Sequence, residues 1–545
     1  MGKALFALSR RLHRYAGLLL LLYLIFVGVT GILLNHPTMI SALSVPRWLV
    51  PPSYQIEEWN RGSLRSVVFS EREPSVGFVA GTEGIWKTTD GGVTFEPMAS
   101  GYPRSRALRR TNHIVLLEEE EEAPARLLAA TRGGLFVASV DDAEWRRIPL
   151  APGDEHVRKI LRIGERLVVF TNSNAYEAYG EAGGDLPHFT LVDPDRLHGG
   201  EGGTTEGVSL VRLMFALHSG AVWGMPGRLL IDAAGVALIF LSASAIYLWY
   251  FPRSRRRSAG APRKDGIGRR LFPWLFKYHL KIGVWATLFL ILFAGTALFM
   301  PPSPLVPMTV RKVVPPQYWP GPLPANPWHG NIGNATYDPV RDEILVELRG
   351  GTGRSVWRAP ADFSTPFARD AARLPIGAMG SNVLEIKADG TLVVGSFSGL
   401  YQRSAGGGAL IDLSTGEPAD PRPFRRGEGG WQTAGYFETP SGERFVVTHD
   451  EGLIGIGGAQ PNGRFKMPDE LKQGYRMPLW SFLFEVHNGR ILRDWLSSHY
   501  YLISFLGALS LLLITFTGLF DWAYRKLPAR PGKGRPEKRK EDPAK

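Results

Sequence analysis

Two pairs of histidines recur at nearly the same spacing along this chain of 545 residues. The offset in residue number is 266 between His13 and His279 (279 − 13), and 269 between His218 and His487 (487 − 218). Each lies at the edge of a long apolar segment, where an ionisable side chain is costly and is a functional candidate. Because a neutral imidazole is a common metal ligand, the two pairs are candidate ligands within an internally duplicated unit.

Four apolar segments are long enough to carry these histidines across a membrane. They cover about 16–34, 229–251, 282–300 and 502–520. Each has roughly 20 residues, and a helix rising about 1.5 Å per residue then crosses a hydrocarbon core of about 30 Å. The sequence therefore predicts a multi-pass membrane protein with four spans.

The net charge of +12 is a topology signal. Lys and Arg concentrate before the first span, in the linker 253–278 and in the tail after the fourth span. Basic residues close to spans mark the cytoplasmic side, so we expect both termini inside a bacterial inner membrane and two large periplasmic segments. The basic balance thus predicts contact with membrane lipid, and it does not imply nucleic-acid binding.

The chain has no cysteine. Disulfides, iron–sulfur clusters, thiolate metal sites and covalently attached c-type haem are therefore excluded. Any cofactor must be held by other side chains.

Both periplasmic segments carry short apolar runs that end in turns containing glycine, among them VGFVAGTEGIWKTT, RLLAATRGGLFVAS, TLVVGSFSGLYQRS and RFVVTHDEGLIGIG. This pattern is typical of hairpins repeated in propellers or sandwiches. The sequence predicts two β-rich segments and leaves open whether they form one joint domain.

One turn is more specific. The run TTDGGVTF over 88–95 resembles the Asp-box of sialidase-type β-propellers. In such a turn the Asp side chain bonds local backbone amides while glycine accepts a positive φ. In those families the box is structural, so we interpret it as a turn and not as a glycosidase site.

The apolar part carries a broader resemblance. The stretches LHRYAGLLLLLYLIFVGVTGILLNHP, LHSGAVWGMPGRLLIDAAGVALIFLSASAIYLWYFPR, YHLKIGVWATLFLILFAGTALF and VHNGRILRDWLSSHYYLISFLGALSLLLITFTGLFDW are similar to the PepSY-associated transmembrane family. The resemblance implies four spans with exported domains after the first and third, and haem-containing inner-membrane reductases of iron–siderophore complexes among the members. The chain shows no PepSY module, and no flavodoxin or nicotinamide-binding domain. We therefore expect a separate electron donor, either a quinol or a reductase protein.

Under this topology His13 and His279 lie at the cytoplasmic ends of spans one and three. The outer face has four candidates, and the sequence leaves open which of them bind iron: His36, His218, His487 and His499. His13 and His36 lie on one helix, roughly 34 Å apart at a rise of about 1.5 Å per residue, which is too far for one iron. Two separate sites, each holding a b-type haem, are therefore expected, with haem iron bound through these histidines. No catalytic side chain can be named.

The predicted fold class is membrane α + β: a four-helix transmembrane bundle from an internal duplication, with two β-rich, propeller-like or sandwich-like periplasmic segments. The predicted division is 1–36 with the first span, 37–207 β-rich, 208–252 interfacial helix and second span, 253–278 basic linker, 279–300 third span, 301–478 β-rich, 479–522 interfacial helix and fourth span, and 523–545 basic disordered tail.

Two functions from different classes fit this organisation. The first is a transmembrane b-haem oxidoreductase that carries electrons across the inner membrane to a periplasmic acceptor such as a ferric siderophore, in effect a ferric-chelate reductase. The second is a non-enzymatic, membrane-anchored β-propeller-like scaffold for assembly of an exported complex. A transporter is disfavoured because the spans lack charged residues deep inside them. A homo-oligomer is compatible with either function.

Overall fold

The computed structural model describes residues 2–118, 124–179, 187–199, 207–257, 267–310, 312–322, 324–350, 353–372, 374–377, 379–419 and 430–526. Most of the acidic run 118–122, the centre of the basic linker and the tail from 527 onward lie outside these residues. The chain divides into two compact units. A helical unit combines Met1–His36, Met214–Met308 and Leu483–Lys545, and a β unit combines Pro37–Leu213 with Thr309–Phe482.

Seven longer helices contain the apolar segments. They are α1 (Gly2–Leu19), α2 (Leu21–Asn35), α3 (Leu210–Ser219), α4 (Gly224–Arg257), α5 (Ile267–Ala297), α6 (Leu479–His487) and α7 (Tyr501–Lys526). The remaining short helices are Pro37–Ile40, Arg106–Arg109, Pro194–His198, Pro307–Val310, Asp469–Gln473 and Arg493–Leu496. Short helices were expected before the second and fourth apolar segments, and α3 and α6 occupy these positions; their interfacial location stays a prediction.

Among the described residues, three segments are long and apolar enough to cross a membrane: Ala221–Ser254, Arg270–Ala297 and Arg490–Lys526. A fourth crossing exists if α1 and α2 count as one span, since they are bent by 63° at the break between them. The expected first span, 16–34, contains this bend, because the helix breaks at Leu20.

The helices pack in a chain of contacts, α2 on α4, α4 on α5, α5 on α7 and α7 on α1. Small residues allow the closest approaches: a Cβ added to Gly28 would lie 2.8 Å from Ile239 Cγ1 and 3.3 Å from the carbonyl oxygen of Gly235. Packing of this kind holds apolar helices together where lipid removes the hydrophobic driving force. The core between the helices contains Leu24, Leu238, Ala286, Leu290, Ala294, Leu298, Ala508 and Leu511.

Among its described residues the β unit contains six antiparallel sheets of three or four strands, here called blades 1 to 6, whose strands follow each other in chain order. Blades 1 to 3 consist of Ser66–Phe69, Gly77–Gly81, Gly84–Thr88 and Glu96–Pro97; Thr111–Leu117, Arg126–Thr131, Gly134–Ser139 and Arg146–Ile148; and Val157–Ile163, Arg166–Thr171, Ala175–Tyr179 and Thr190–Leu191. Blades 4 to 6 consist of Ile332–Asp338, Glu343–Gly350, Gly353–Pro360 and Ala368–Arg369; Ser381–Ile386, Leu392–Ser396, Gly399–Arg403 and Ile411–Asp412; and Thr433–Glu438, Arg444–Thr448 and Gly452–Ile456.

The blades close into a ring. The first strand of each blade contacts the first strand of the next, and the first strand of blade 6 contacts that of blade 1. The β unit is therefore a six-bladed propeller with three blades from each segment, and the sandwich-like alternative is not observed. Two further strand pairs join the segments: Ser44–Pro46 with Arg476–Pro478, and Val208–Ser209 with Val313–Val314.

The core of the ring lies between neighbouring blades. In the strand Arg126–Thr131, Leu127 and Ala129 pack against blade 1 residues, while Leu128 and Ala130 pack against blade 3 residues. Successive side chains of a strand point to opposite faces, and both faces of a blade are covered by a neighbour. This explains why inner strands are apolar throughout instead of alternating with polar residues.

The Asp-box resemblance corresponds to the turn after the third strand of blade 1. The Asp90 carboxylate accepts hydrogen bonds from the backbone N–H groups of Val93 and Thr94 and from the hydroxyl of Thr88, while Gly91 and Gly92 have φ of +72° and +96°. The hydrogen bonds from Thr94 are the largest of the influences that lower the pKa of Asp90 from 3.8 to about 2.

This turn gives the β unit a defined acid sensitivity. Because the pKa of Asp90 is lower in the folded state, its ionised form stabilises the fold above the ordinary pKa, and this contribution disappears as pH falls from about 4 to about 2. We expect Asp90→Asn to lower the thermal unfolding midpoint at pH 7 and to flatten its decline between pH 4 and 2. Circular dichroism of the solubilised protein measures both effects. The exposed Asp142→Asn serves as control, and an unchanged acid profile in Asp90→Asn would contradict the assignment.

Candidate functional site

The structure brings His13 of α1 next to His279 of α5. Their ring centroids are 6.5 Å apart and their planes are nearly perpendicular, at 89°. The Nδ1 atom of His13 lies 2.9 Å from the carbonyl oxygen of Ile514, and the Nδ1 atom of His279 lies 2.8 Å from the hydroxyl oxygen of Ser244. Both rings are thus fixed by groups on a neighbouring helix. We call this the first histidine pair.

His218 and His487, at the ends of α3 and α6, form the second histidine pair. Their ring centroids are 6.4 Å apart, with an angle of 77° between the planes. The Nδ1 atom of His218 lies 2.9 Å from the Thr296 hydroxyl oxygen, and the Nδ1 atom of His487 lies 2.8 Å from the Thr30 hydroxyl oxygen. The arrangement repeats that of the first pair: one imidazole nitrogen of each ring is held by a neighbouring helix.

The hydrogen bonds determine which ring nitrogen carries the proton. The Thr30 hydroxyl donates to the carbonyl of Phe26 and the Thr296 hydroxyl to that of Leu292, one helical turn back, so each hydroxyl oxygen accepts from its histidine. The Ser244 hydroxyl likewise donates to a carbonyl, and the partner of His13 is itself a carbonyl, which can only accept. This arrangement favours the tautomer that has the proton on Nδ1 in all four rings, and that tautomer leaves the lone pair on Nε2.

The anchoring contacts cross between the two halves of the sequence. Thr30 and Thr296 are separated by the same offset in residue number as His13 and His279. Thr30 of the first half anchors His487 of the second, and Thr296 of the second half anchors His218 of the first. A duplicated unit predicts such reciprocal contacts.

The sequence reasoning missed these anchors, although a signal for them exists. In three of the apolar helices a threonine stands beside a glycine: Thr30 and Gly31, Gly295 and Thr296, Thr517 and Gly518. Each of these threonines has its hydroxyl within hydrogen-bonding range of a histidine Nδ1, at 3.4 Å in the case of Thr517 and His13. A hydroxyl group in an apolar helix needs a hydrogen-bond partner. The recurrence of threonine beside glycine therefore indicated that these threonines contact another polar group.

Glycines also leave space beside the rings. A Cβ on Gly518 would lie 2.9 Å from His13 Cε1, and one on Gly31 would lie 3.6 Å from His487 Cε1. A Cβ added to Gly17, which lies one turn after His13 on the same helix, would have no atom within 4 Å, and the same holds for Gly295. At these positions the helices therefore place no side chain beside the histidine pairs.

The structure places the other two outer candidates differently. The Nε2 atom of His36 lies 2.6 Å from a carboxylate oxygen of Asp232, whose second oxygen accepts a hydrogen bond of 2.9 Å from the Asn35 side chain. His499 is exposed in the short turn Ser497–Tyr500. The described residues contain no group of three or more His, Cys, Asp or Glu side chains that could hold a metal ion.

His36 and Asp232 join the end of α2 to α4, and we expect their role to be structural. His36→Ala and Asp232→Ala should each cost about 1–3 kcal/mol of stability, because each leaves a half-buried polar partner unsatisfied. The double variant should cost less than the sum of the two, since both changes remove one interaction. Chemical unfolding of the detergent-solubilised protein measures this cycle, with His499→Ala as the neutral control. Strict additivity would show that the pair does not couple.

These features define a membrane protein that combines apolar helices carrying two histidine pairs with a six-bladed β-propeller. A family model described as the PepSY-associated TM region matches residues 10–525, and the chain belongs to this family. The resemblance inferred from the four apolar stretches is therefore confirmed. No curated protein matches the chain significantly.

Solved structures with low similarity include YCF48 from Cyanidioschyzon merolae, with 14% identity, 74% of this chain and 97% of that chain covered and a TM-score of 0.33. The extracellular domain of the one-component system BT4673 from B. thetaiotaomicron has 10% identity, with 74% of this chain and 40% of that chain covered and a TM-score of 0.32. A GH74 xyloglucanase from Xanthomonas campestris has 10% identity, with 74% and 46% covered and a TM-score of 0.31.

Proposed function

We propose that the protein is a transmembrane b-haem oxidoreductase that carries electrons across a bacterial inner membrane to a periplasmic ferric chelate. The observation that supports this proposal is the repeated histidine pair, in which Nδ1 is bonded to a neighbouring helix and Nε2 keeps its lone pair. Family membership places the helices in a membrane protein but does not name a cofactor.

The residues fit a haem at each pair. In each pair two imidazoles from different helices lie side by side, and the short separation of their ring centroids would let both hold one iron through Nε2. The observed separations are 6.5 and 6.4 Å. His13 with His279, and His218 with His487, would each hold one haem through their imidazoles. When bound, such a group supplies one-electron redox chemistry.

The chain's own residues would hold and tune this cofactor. Ser244, Thr296 and Thr30 orient the imidazoles and, by accepting the Nδ1 proton in a hydrogen bond, make Nε2 a stronger donor. The apolar helix core keeps water away from the pairs. The first pair, near basic cytoplasmic segments, would receive electrons from a separate quinol or reductase, and the second pair would pass them to the acceptor.

The topology in this proposal follows from charge. The basic start, linker and tail favour a cytoplasmic location for both termini, with α1 and α2 together as the first of four spans. The propeller then lies in the periplasm, assembled from both exported segments. The two similar pairs at nearly equal offsets are those of a duplicated four-helix unit.

The primary test is optical. Purified protein should show a Soret band that shifts on dithionite reduction. Two double variants are compared with it: His13→Ala with His279→Ala, and His218→Ala with His487→Ala. Each should lose about half of the haem, since each removes both imidazoles that would hold haem at one site. Pyridine haemochrome analysis gives the stoichiometry, and His499→Ala should retain the full complement. Colourless, iron-free protein that copurifies with a partner would instead support the scaffold function.

A second test addresses the hydroxyl anchors. Thr30→Val or Thr296→Val removes the acceptor of one Nδ1 proton while keeping the side-chain volume. We expect weaker cofactor binding at the second pair, by about 10–100-fold, and a higher reduction potential for that site alone, because the imidazole donates less strongly. Potentiometric titration resolves the two sites. Thr287→Val is the matched control, since its hydroxyl donates to the Gly283 carbonyl in the same helix as Thr296. Equal shifts in all three variants would argue against the anchors.

A further inference from the structure

The β unit contains a cavity of about 390 Å³ whose lining is unusually cationic. Residues from the first strands of the blades line it, together with residues from the hairpin Glu343–Pro360 of blade 4. Its cationic members are Arg65, Arg110, Arg158, Lys159, Arg349 and Arg354. Two negative charges oppose these six cations. Glu385 lies in the lining, and Glu347 pairs with Arg354 at 3.0 Å. The cavity therefore holds an excess of positive charge.

Three of these arginines come from equivalent places in successive blades. Arg65 directly precedes the first strand of blade 1, Arg110 directly precedes that of blade 2, and Arg158 is the second residue of that of blade 3. Since each blade is a meander entered through its innermost strand, the starts of these strands lie at the same end of the ring. Their guanidinium groups consequently converge on one region of the cavity.

Within the described part of the chain the cluster is not neutralised. The Nε atoms of Arg65 and Arg158 and the Nδ1 atom of His113 are buried and have no hydrogen-bond partner among the described residues. Burial, reinforced by Arg110 and Arg158, lowers the pKa of Arg65, and burial with the nearby Arg132 lowers the pKa of Arg110 to about 10. Half-buried charges of one sign repel each other, and Glu347 and Glu385 offset only part of this repulsion, so a bound anion would stabilise the cluster.

We propose that this cavity binds a compact polyanion carrying two or more carboxylate or phosphate groups. Guanidinium groups bind both kinds of oxyanion through paired N–H bonds, and several converging arginines favour an anion with several such groups. The volume falls in the range of small-molecule sites, about 300–1,000 Å³. Binding at this site does not depend on the electron transfer proposed above.

The test uses the full-length protein in a neutral detergent. Citrate and tripolyphosphate, at ionic strength matched with sodium chloride, should raise the thermal unfolding midpoint and give a saturable calorimetric signal, whereas acetate should not. The two arms distinguish a carboxylate ligand from a phosphate ligand. Arg110→Gln and Arg158→Gln should each weaken binding at least about tenfold, because each removes a charged bidentate donor. Arg162→Gln, at an exposed position on the same strand as Arg158, should bind like the wild type.

Controls keep the result interpretable. Without ligand, Arg110→Gln should unfold at the same temperature as the wild type or higher, since it removes repulsion between like charges, so loss of binding would not reflect misfolding. If that variant is unstable, Arg110→Lys serves instead. It keeps the positive charge but loses the paired N–H donors of the guanidinium group, so it should bind the anions more weakly than the wild type. The double variant His218→Ala with His487→Ala should bind both anions normally. The proposal is overturned if neither citrate nor tripolyphosphate binds, or if Arg162→Gln weakens binding as much as Arg158→Gln.

Discussion

A buried imidazole N–H among apolar helices must find an acceptor, and this requirement governs the helical unit. The acceptors are hydroxyl or carbonyl oxygens on a neighbouring helix, and each hydroxyl has already given its own proton to a carbonyl one turn back. The hydrogen bond therefore runs in one direction only. It fixes the proton on Nδ1, the orientation of the ring and the relative position of two helices at once. Without that constraint the four histidines would be interfacial polar residues with no common chemistry.

Much of this organisation could be predicted from the sequence because it depends on residues that lie close together along the chain. Long apolar runs predicted the apolar helices, recurring histidines predicted the two pairs, and Gly-containing hairpins predicted β-rich segments of propeller or sandwich type. The turn at Asp90 was recognisable because its hydrogen bonds stay within a few residues.

The sequence was less informative wherever a residue's partner is distant. Asp232 bonds to His36 across nearly two-fifths of the chain, and no local pattern connects them. The acceptor Ser244 was overlooked for the same reason, and whether the two β-rich segments form one joint domain was left open. The helix breaks at Leu20, where neither proline nor glycine is present, so no residue type at that position predicts the break. Periodicity identifies a buried face, but it does not identify what covers it.

The closed ring also constrains how the protein can be made. Blades 1 to 3 and blades 4 to 6 come from segments separated by two apolar spans, and the strand pair of Ser44–Pro46 with Arg476–Pro478 unites residues from opposite ends of the chain. Contacts of such large sequence separation form late. The first three blades must therefore wait, with two apolar blade faces uncovered, until the ribosome has delivered the second half. A nascent chain in that state is prone to aggregation, so its biogenesis should depend on a holdase chaperone more strongly than that of a propeller encoded without interruption.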